Sequence, residues 1–260
     1  MLRRCALLAP VLLLASPAFA LDFPEMQKRG TLKVLAVHED LFFTTRQAPL
    51  PGFDREVLEG FASLSKLKLE VVQVPGWDQM IPWLLEGKGD VIVGGYAATE
   101  SRQKQIAFSA EVFPSRKVVM TRKPTKPVKT LDDLKLLKVG TVKGTSMADL
   151  VATLGLAKDK VDDEVPSGTL PAALKAGRVE AIVYPVEHAI LERRADPTLE
   201  LGMFVGPPLS LGFGLRKGDT ALKQALDQYI ENLRHTPTWS RLVVKYLGED
   251  APDVLKKARE

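Results

Sequence analysis

The chain has 260 residues, 45% of them apolar and 26% charged, with a formal net charge of +4. That much apolar sequence supports one large core or two ordinary ones and excludes a disordered polyelectrolyte. The near-even charge balance, with no basic run interleaved with aromatics, argues against nucleic acid as a partner.

The first twenty residues, MLRRCALLAPVLLLASPAFA, combine a basic start (Arg3, Arg4), an apolar run of signal-peptide length and a small-x-small site at Ala18-Phe19-Ala20. They read as a cleaved export signal, because the apolar run falls short of the roughly 20 residues of a spanning helix. Cleavage after Ala20 removes Arg3, Arg4 and Cys5, the single cysteine, so no disulfide is expected.

Beyond residue 30, strands and helices alternate. TLKVLAV (31–37) and KLEVVQV (68–74) are β-rich, and the stretch between them sets Val57, Leu58, Phe61 and Ala62 at helical spacing. A helix from Trp77 to Glu86 is stopped by Gly87 and Gly89 before the strand DVIVGG. After Phe113 a Pro- and Lys-rich stretch marks a crossing into a second lobe.

There, Thr130 to Asp133 predicts a capping box, KVGTV (138–142) a strand, and Ser146 to Asp149 a second capping box. Strands near 161–165, 179–184 and 199–205 alternate with helices over 170–176 and 185–194, which predicts parallel sheets with crossovers. The Pro-rich segment 206–218 reads as the return crossing, and two amphipathic helices and a short charged one follow it. The expected organisation is an α/β protein of two lobes: 21–113 with 212–260 as lobe I, 114–211 as lobe II, and hinge crossings near 113–118 and 206–212.

Several of these stretches, PGFDREVLEGFA (51–62), MIPWLLEGKGDVIVGG (80–95), TESRQKQIAFS (99–109), KVGTVKGTS (138–146) and LKAGRVEAIV (174–183), occur in this order and spacing behind a signal. Together the chain resembles the periplasmic solute-binding proteins of family 3, which serve amino-acid ABC transporters. The resemblance implies the type 2 periplasmic-binding-protein fold: two Rossmann-like lobes with central sheets, joined by a two-stranded hinge. It implies a periplasmic monomer that hands a small carboxylate ligand to an inner-membrane permease, with no cofactor, metal or nucleic acid. Arg55 departs from the family signature, where an apolar residue is usual.

The resemblance also implies where the ligand sits. Arg102 takes the place of the arginine that grips the ligand's α-carboxylate, helped by Gly95 and Ala97 on the strand end and by Gly144, Thr145 and Ser146 on the opposite loop. A guanidinium fork suits a carboxylate, and a helix opened at Ser146 favours an anion. The competing reading is a salt bridge from Arg102 to Glu100 or Glu111. Trp77 aligns with a ring that stacks on the ligand, and Phe43 is a second aromatic candidate, with core packing its alternative.

Family members that bind α-amino acids carry an aspartate where this chain has Pro185, and strand-end hydroxyls are replaced by Gly94, Gly95 and Ala97. Glu187 or Asp40 are the substitutes for the ammonium partner, with solvated surface carboxylates as the alternative.

The sequence has no H-E-x-x-H, no G-x-S-x-G elbow and no G-x-x-x-x-G-K-[ST] loop, so no enzyme is expected. The alternatives are a cyclohexadienyl dehydratase-like enzyme, with Glu187 as proton donor and Arg102 as carboxylate clamp, and a stand-alone periplasmic sensor module.

Overall fold

The computed structural model describes residues 23–143, 145–166 and 168–260, with Ser146 by its backbone alone. The expected export signal and Gly144 lie outside the described residues.

The first lobe begins with α1 (Phe23–Arg29), β1 (Thr31–Ala36), α2 (Phe53–Leu64), β2 (Lys68–Gln73), α3 (Met80–Leu85), β3 (Val91–Ile92), α4 (Glu100–Gln103) and β4 (Ala107–Phe108). Helix α2 buries Phe53, Val57, Leu58, Phe61 and Ala62, the one-sided stripe its sequence spacing requires. A tighter turn over Trp77–Gln79 precedes α3, where one continuous helix is expected from the sequence.

The second lobe holds β5 (Phe113–Arg122), α5 (Leu131–Lys135), β6 (Val139–Gly140), α6 (Ser146–Thr153), β7 (Val161–Asp162), α7 (Leu170–Lys175), β8 (Ala181–Pro185), α8 (Val186–Ala195) and β9 (Leu199–Leu211). The chain then returns to the first lobe as β10 (Gly214–Leu215) and ends in α9 (Thr220–Arg234), α10 (Pro237–Leu247) and α11 (Ala251–Arg259).

Two five-stranded sheets result, ordered β2-β1-β3-β10-β4 and β7-β6-β8-β5-β9. Both are mixed, which corrects the expectation of parallel sheets. Strands β1, β2 and β3 run parallel, as do β7, β6 and β8, because helical crossovers join them. Strands β10 and β5 run antiparallel to their neighbours, since the chain enters the second lobe in one direction and leaves it in the other.

β5 and β9 form a long antiparallel pair, from Phe113 opposite Leu211 to Arg122 opposite Leu199. β9 thus continues through Pro207 and Pro208, past the strand expected over 199–205. A proline has no N–H for a ladder, and the register is broken there, so that Ser115 faces Leu209 while Lys117 faces Val205.

The capping box is present at Thr130 and Asp133. The second box is corrected: Thr145 caps α6, its hydroxyl accepting from the Ala148 N–H at 3.3 Å. The third helical residue is then Ala148, and Asp149 falls one position too late to reciprocate. At the lobe junction, Phe42, Phe53 and Phe113 meet edge to face. Helix α11 lies against β5, β9, α8 and α10, burying Ala251, Leu255 and Ala258.

Candidate functional site

Where β1 ends, the chain makes a tight turn in which Glu39 and Phe43 exchange backbone hydrogen bonds of 3.1 and 2.9 Å. This turn buries Phe42 and Phe43 in the core and aims Glu39 at the second lobe. Phe43 is 0% exposed, so its ring packs in the core, the alternative left open in the sequence. Asp40 points outward with an 88% exposed side chain and pairs with His38 at 3.1 Å, as a solvated carboxylate does.

Helix α2 opens at Gly52, whose φ of 111° and close approach to the Phe42 carbonyl admit only glycine. Two residues on, Asp54 is wholly buried, and its Oδ2 accepts the Gly94 and Gly95 N–H groups at 2.9 and 2.8 Å. Burial raises the Asp54 pKa from 3.8 to about 7, against the pull of those two hydrogen bonds. Asp54 was not singled out in the sequence. Its signal there is an acidic residue lodged between Phe53 and Val57 on the apolar face of α2.

Gly94 and Gly95 both have positive φ, 104° and 67°. A Cβ on Gly95 would stand 2.4 Å from the Phe42 ring. The turn they form leads to the buried Tyr96, whose ring lies near-parallel to those of Trp77 at 6.1 Å and Phe108 at 5.9 Å. Trp77 keeps 40% of its surface exposed, an aromatic face held in place but still open to solvent.

The guanidinium of Arg102 lies over the Tyr96 ring, 3.9 Å from its centroid, and donates from Nη1 to the Ala97 carbonyl at 3.0 Å. These contacts orient the fork without neutralising it. The salt bridges weighed as its alternative are not formed: Glu100 pairs with Lys104 at 2.9 Å, and Glu111 with Arg259 and Arg234 at 2.7 and 3.3 Å.

Arg102 opens onto a cavity of about 510 Å³ between the lobes. Ala97, Thr99 and Ser101 line it from the first lobe, and Arg116, Lys117, Leu150 and the Val205–Pro207 turn from the second. The volume falls within the range of small-molecule sites, roughly 300–1,000 Å³. Gly95, expected to help hold the ligand, is half-buried against Phe42 and is not among the residues lining this cavity. Thr145 caps α6, the helix that brings Leu150 to the cavity, and its hydroxyl also donates to the Val142 carbonyl at 2.7 Å. Gly144 and the Ser146 side chain, expected to work with it, lie outside the described residues.

Lys117 and Arg116 were not among the residues picked from the sequence, where a basic pair on a strand reads as a solvated face. Burial lowers the Lys117 pKa, opposed by the charge of Glu187. Glu187 is itself 5% exposed and accepts the Ser115 hydroxyl at 2.7 Å, directed into the protein. Across the lobe junction, His188 on α8 stands 4.0 Å from Glu39 and packs against the Phe42 and Tyr184 rings. Burial raises the Glu39 pKa, while His188 and the Phe42 N–H oppose that rise.

Among the described residues, no three His, Cys, Asp or Glu side chains are gathered as a metal would require, and no helix is long and apolar enough to cross a membrane.

Comparison with known proteins agrees with this architecture. The histidine-binding periplasmic protein of Escherichia coli (strain K12) is 28% identical over 247 residues, covering 91% of this chain and 92% of that one. The L-cystine-binding protein TcyJ of the same strain is 27% identical over 233 residues, covering 87% of this chain and 86% of the other. Among solved structures, a mutant of ArgBP from T. maritima superposes with a TM-score of 0.66 at 28% identity, covering 87% of this chain and 99% of its own. Residues 36–249 match the model of the bacterial extracellular solute-binding proteins, family 3, and the chain belongs to that family.

Proposed function

We propose that the protein captures a small carboxylate-bearing solute between its lobes, outside the cytoplasm, and delivers it to the permease of an ABC transporter. The observation that carries this reading is Arg102: an oriented guanidinium at the wall of an interlobe cavity, with no carboxylate of the protein's own upon it. A planar fork of this kind pairs with a carboxylate in two parallel hydrogen bonds.

The cavity draws its walls from both lobes, which β5 and β9 connect, with α11 packed beside those strands. A ligand on Arg102 and Trp77 gains its remaining contacts when the second lobe closes, and that differential affinity shifts the population toward the closed form. The closed surface is what a permease would recognise. Leading residues 1–20 fit export, in keeping with relatives named as periplasmic.

The ligand does not carry over from the relatives, which are named for histidine, cystine and arginine. Pro185 stands where the ammonium-binding aspartate is expected, and Asp40 and Glu187 are held by His38 and Ser115. Among the described residues lining the cavity there is no carboxylate and no imidazole.

A thermal-shift screen of the purified protein against carboxylates and their primary amides tests the proposal. A ligand at about 100 times its Kd adds roughly 2.7 kcal/mol to stability. Carboxylates alone should shift the transition, and an amide that stabilises as much as its parent acid would refute the reading.

A further inference from the structure

We propose that the cleft selects a solute with two anionic groups, one carboxylate on Arg102 of the first lobe and a second anion on Lys117 and Arg116 of the second. This rests on the capture reading and narrows it to a ligand class.

The argument begins with the break in the β5–β9 ladder. While β5 advances from Ser115 to Lys117, β9 retreats from Leu209 to Val205, so Gly206, Pro207 and Pro208 bow away from the pair. Arg116 spans the gap, its Nε donating to the Gly206 carbonyl at 2.9 Å, and the cavity opens beside it. A bulge next to a cavity re-aims side chains, and here it lets two consecutive strand residues line one site.

Charge is the second observation. Several half-buried or buried basic residues elsewhere sit on acids, among them Arg216 on Asp219 at 2.9 Å, Lys175 on Glu192 at 2.7 Å and Arg234 on Glu111 at 3.3 Å, while Lys160 donates to the Leu136 carbonyl at 2.7 Å. Arg102, Arg116 and Lys117 make no ion pair among the described residues, although all three are partly buried in one cleft; only the charge of Glu187, hydrogen-bonded to Ser115, acts on Lys117 in part compensation. Cations withdrawn from water without a counter-charge are costly, and a bound anion removes that cost. The depressed Lys117 pKa has the same origin in burial.

The acids nearby are already engaged. Glu39 accepts the Phe42 N–H and faces His188, Glu187 accepts from Ser115, and Asp54 holds the glycine turn. An ammonium group would find three cations and no free carboxylate on the cavity wall, while Ala97, Leu150, Val205 and Leu209 suit a short carbon spacer.

Isothermal titration calorimetry decides it, with succinate, glutarate, phthalate and 3-phosphoglycerate as dianions, butyrate as the monoanion, and histidine and arginine as ammonium-bearing probes. At least one dianion should bind about tenfold or more tighter than butyrate, the scale of one charge-assisted contact. The dicarboxylate and phosphate arms tell which second anion is preferred. Lys117→Met should reduce that dianion to the affinity of butyrate, Lys117→Arg should largely restore it, and circular dichroism of both variants checks that they fold.

Histidine or arginine binding more tightly than every dianion, no dianion binding at all, or a dianion preference that survives Lys117→Met in the folded variant would overturn the inference. The capture reading survives the first and last of these results if Arg102→Met still abolishes binding. If Arg102→Met leaves every probe unaffected, both fall.

Discussion

Replacing Asp54 with asparagine isolates the buried carboxyl behind the glycine turn. The folded protein holds the Asp54 proton up to a pKa of about 7, whereas the unfolded chain releases it near 3.8. Between these values the folded state binds more protons, so stability falls as pH rises through the window and is fully retained below it. At about 1.4 kcal/mol per pKa unit, the gap corresponds to on the order of 4 kcal/mol lost by pH 8. Asparagine keeps an oxygen for the Gly94 and Gly95 N–H groups but does not ionise.

Its amide nitrogen takes the place of Oδ1, which has no hydrogen-bond partner, at a pH-independent cost of about 1–3 kcal/mol. Asp54→Asn should therefore gain on the parent by on the order of 3 kcal/mol between pH 5 and pH 8 and should exceed it by pH 8. Urea denaturation at half-unit pH intervals, at constant m, measures the difference, in which the other titrating groups largely cancel. Glu39, whose charge opposes ionisation of Asp54, shifts the pH range of that gain but not its direction. Parallel stability curves for the two proteins from pH 5 to 8 would refute the argument.

Two further substitutions probe the frame of the site. Gly95→Ala puts a Cβ 2.4 Å from the Phe42 ring at a φ of 67°, and should cost about 1–3 kcal/mol in chemical denaturation while weakening ligand binding through the displaced turn. Leu255→Ala opens a cavity under α11, where that helix seats on the hinge strands, and should lower stability by about 2–5 kcal/mol. An unchanged denaturation midpoint for either variant would contradict the packing described.

The alternation of strands and helices was legible because burial imposes a period of two or 3.6 on apolar residues, and the Thr130 capping box because its chemistry is local. Strand direction was not, since a hydrophobic pattern is the same read either way. β5 and β10 therefore came as antiparallel insertions into sheets expected to be parallel. The cap of α6 was misassigned by one residue because Thr145 and Ser146 are both good caps, and only backbone conformation distinguishes them.

Within the candidate site, Arg102 stands at the cavity wall, while Trp77 is stacked near Tyr96 and half open to solvent but is not among the residues that line that cavity. Phe43 is in the core because the tight turn at Glu39 directs its ring inward, something no composition rule conveys. The Lys117 and Arg116 pair stayed hidden because its position depends on a ladder defect formed with residues about ninety positions away.

The most direct test of a cleft built around one carboxylate clamp is the Kd of the best carboxylate ligand for the parent protein and for Arg102→Met, by isothermal titration calorimetry. Removing one partner of a charged, hydrogen-bonded pair should cost at least about 2 kcal/mol, or roughly thirtyfold in Kd. An Arg102→Met protein that folds and binds the same ligand with an unchanged Kd would contradict the account.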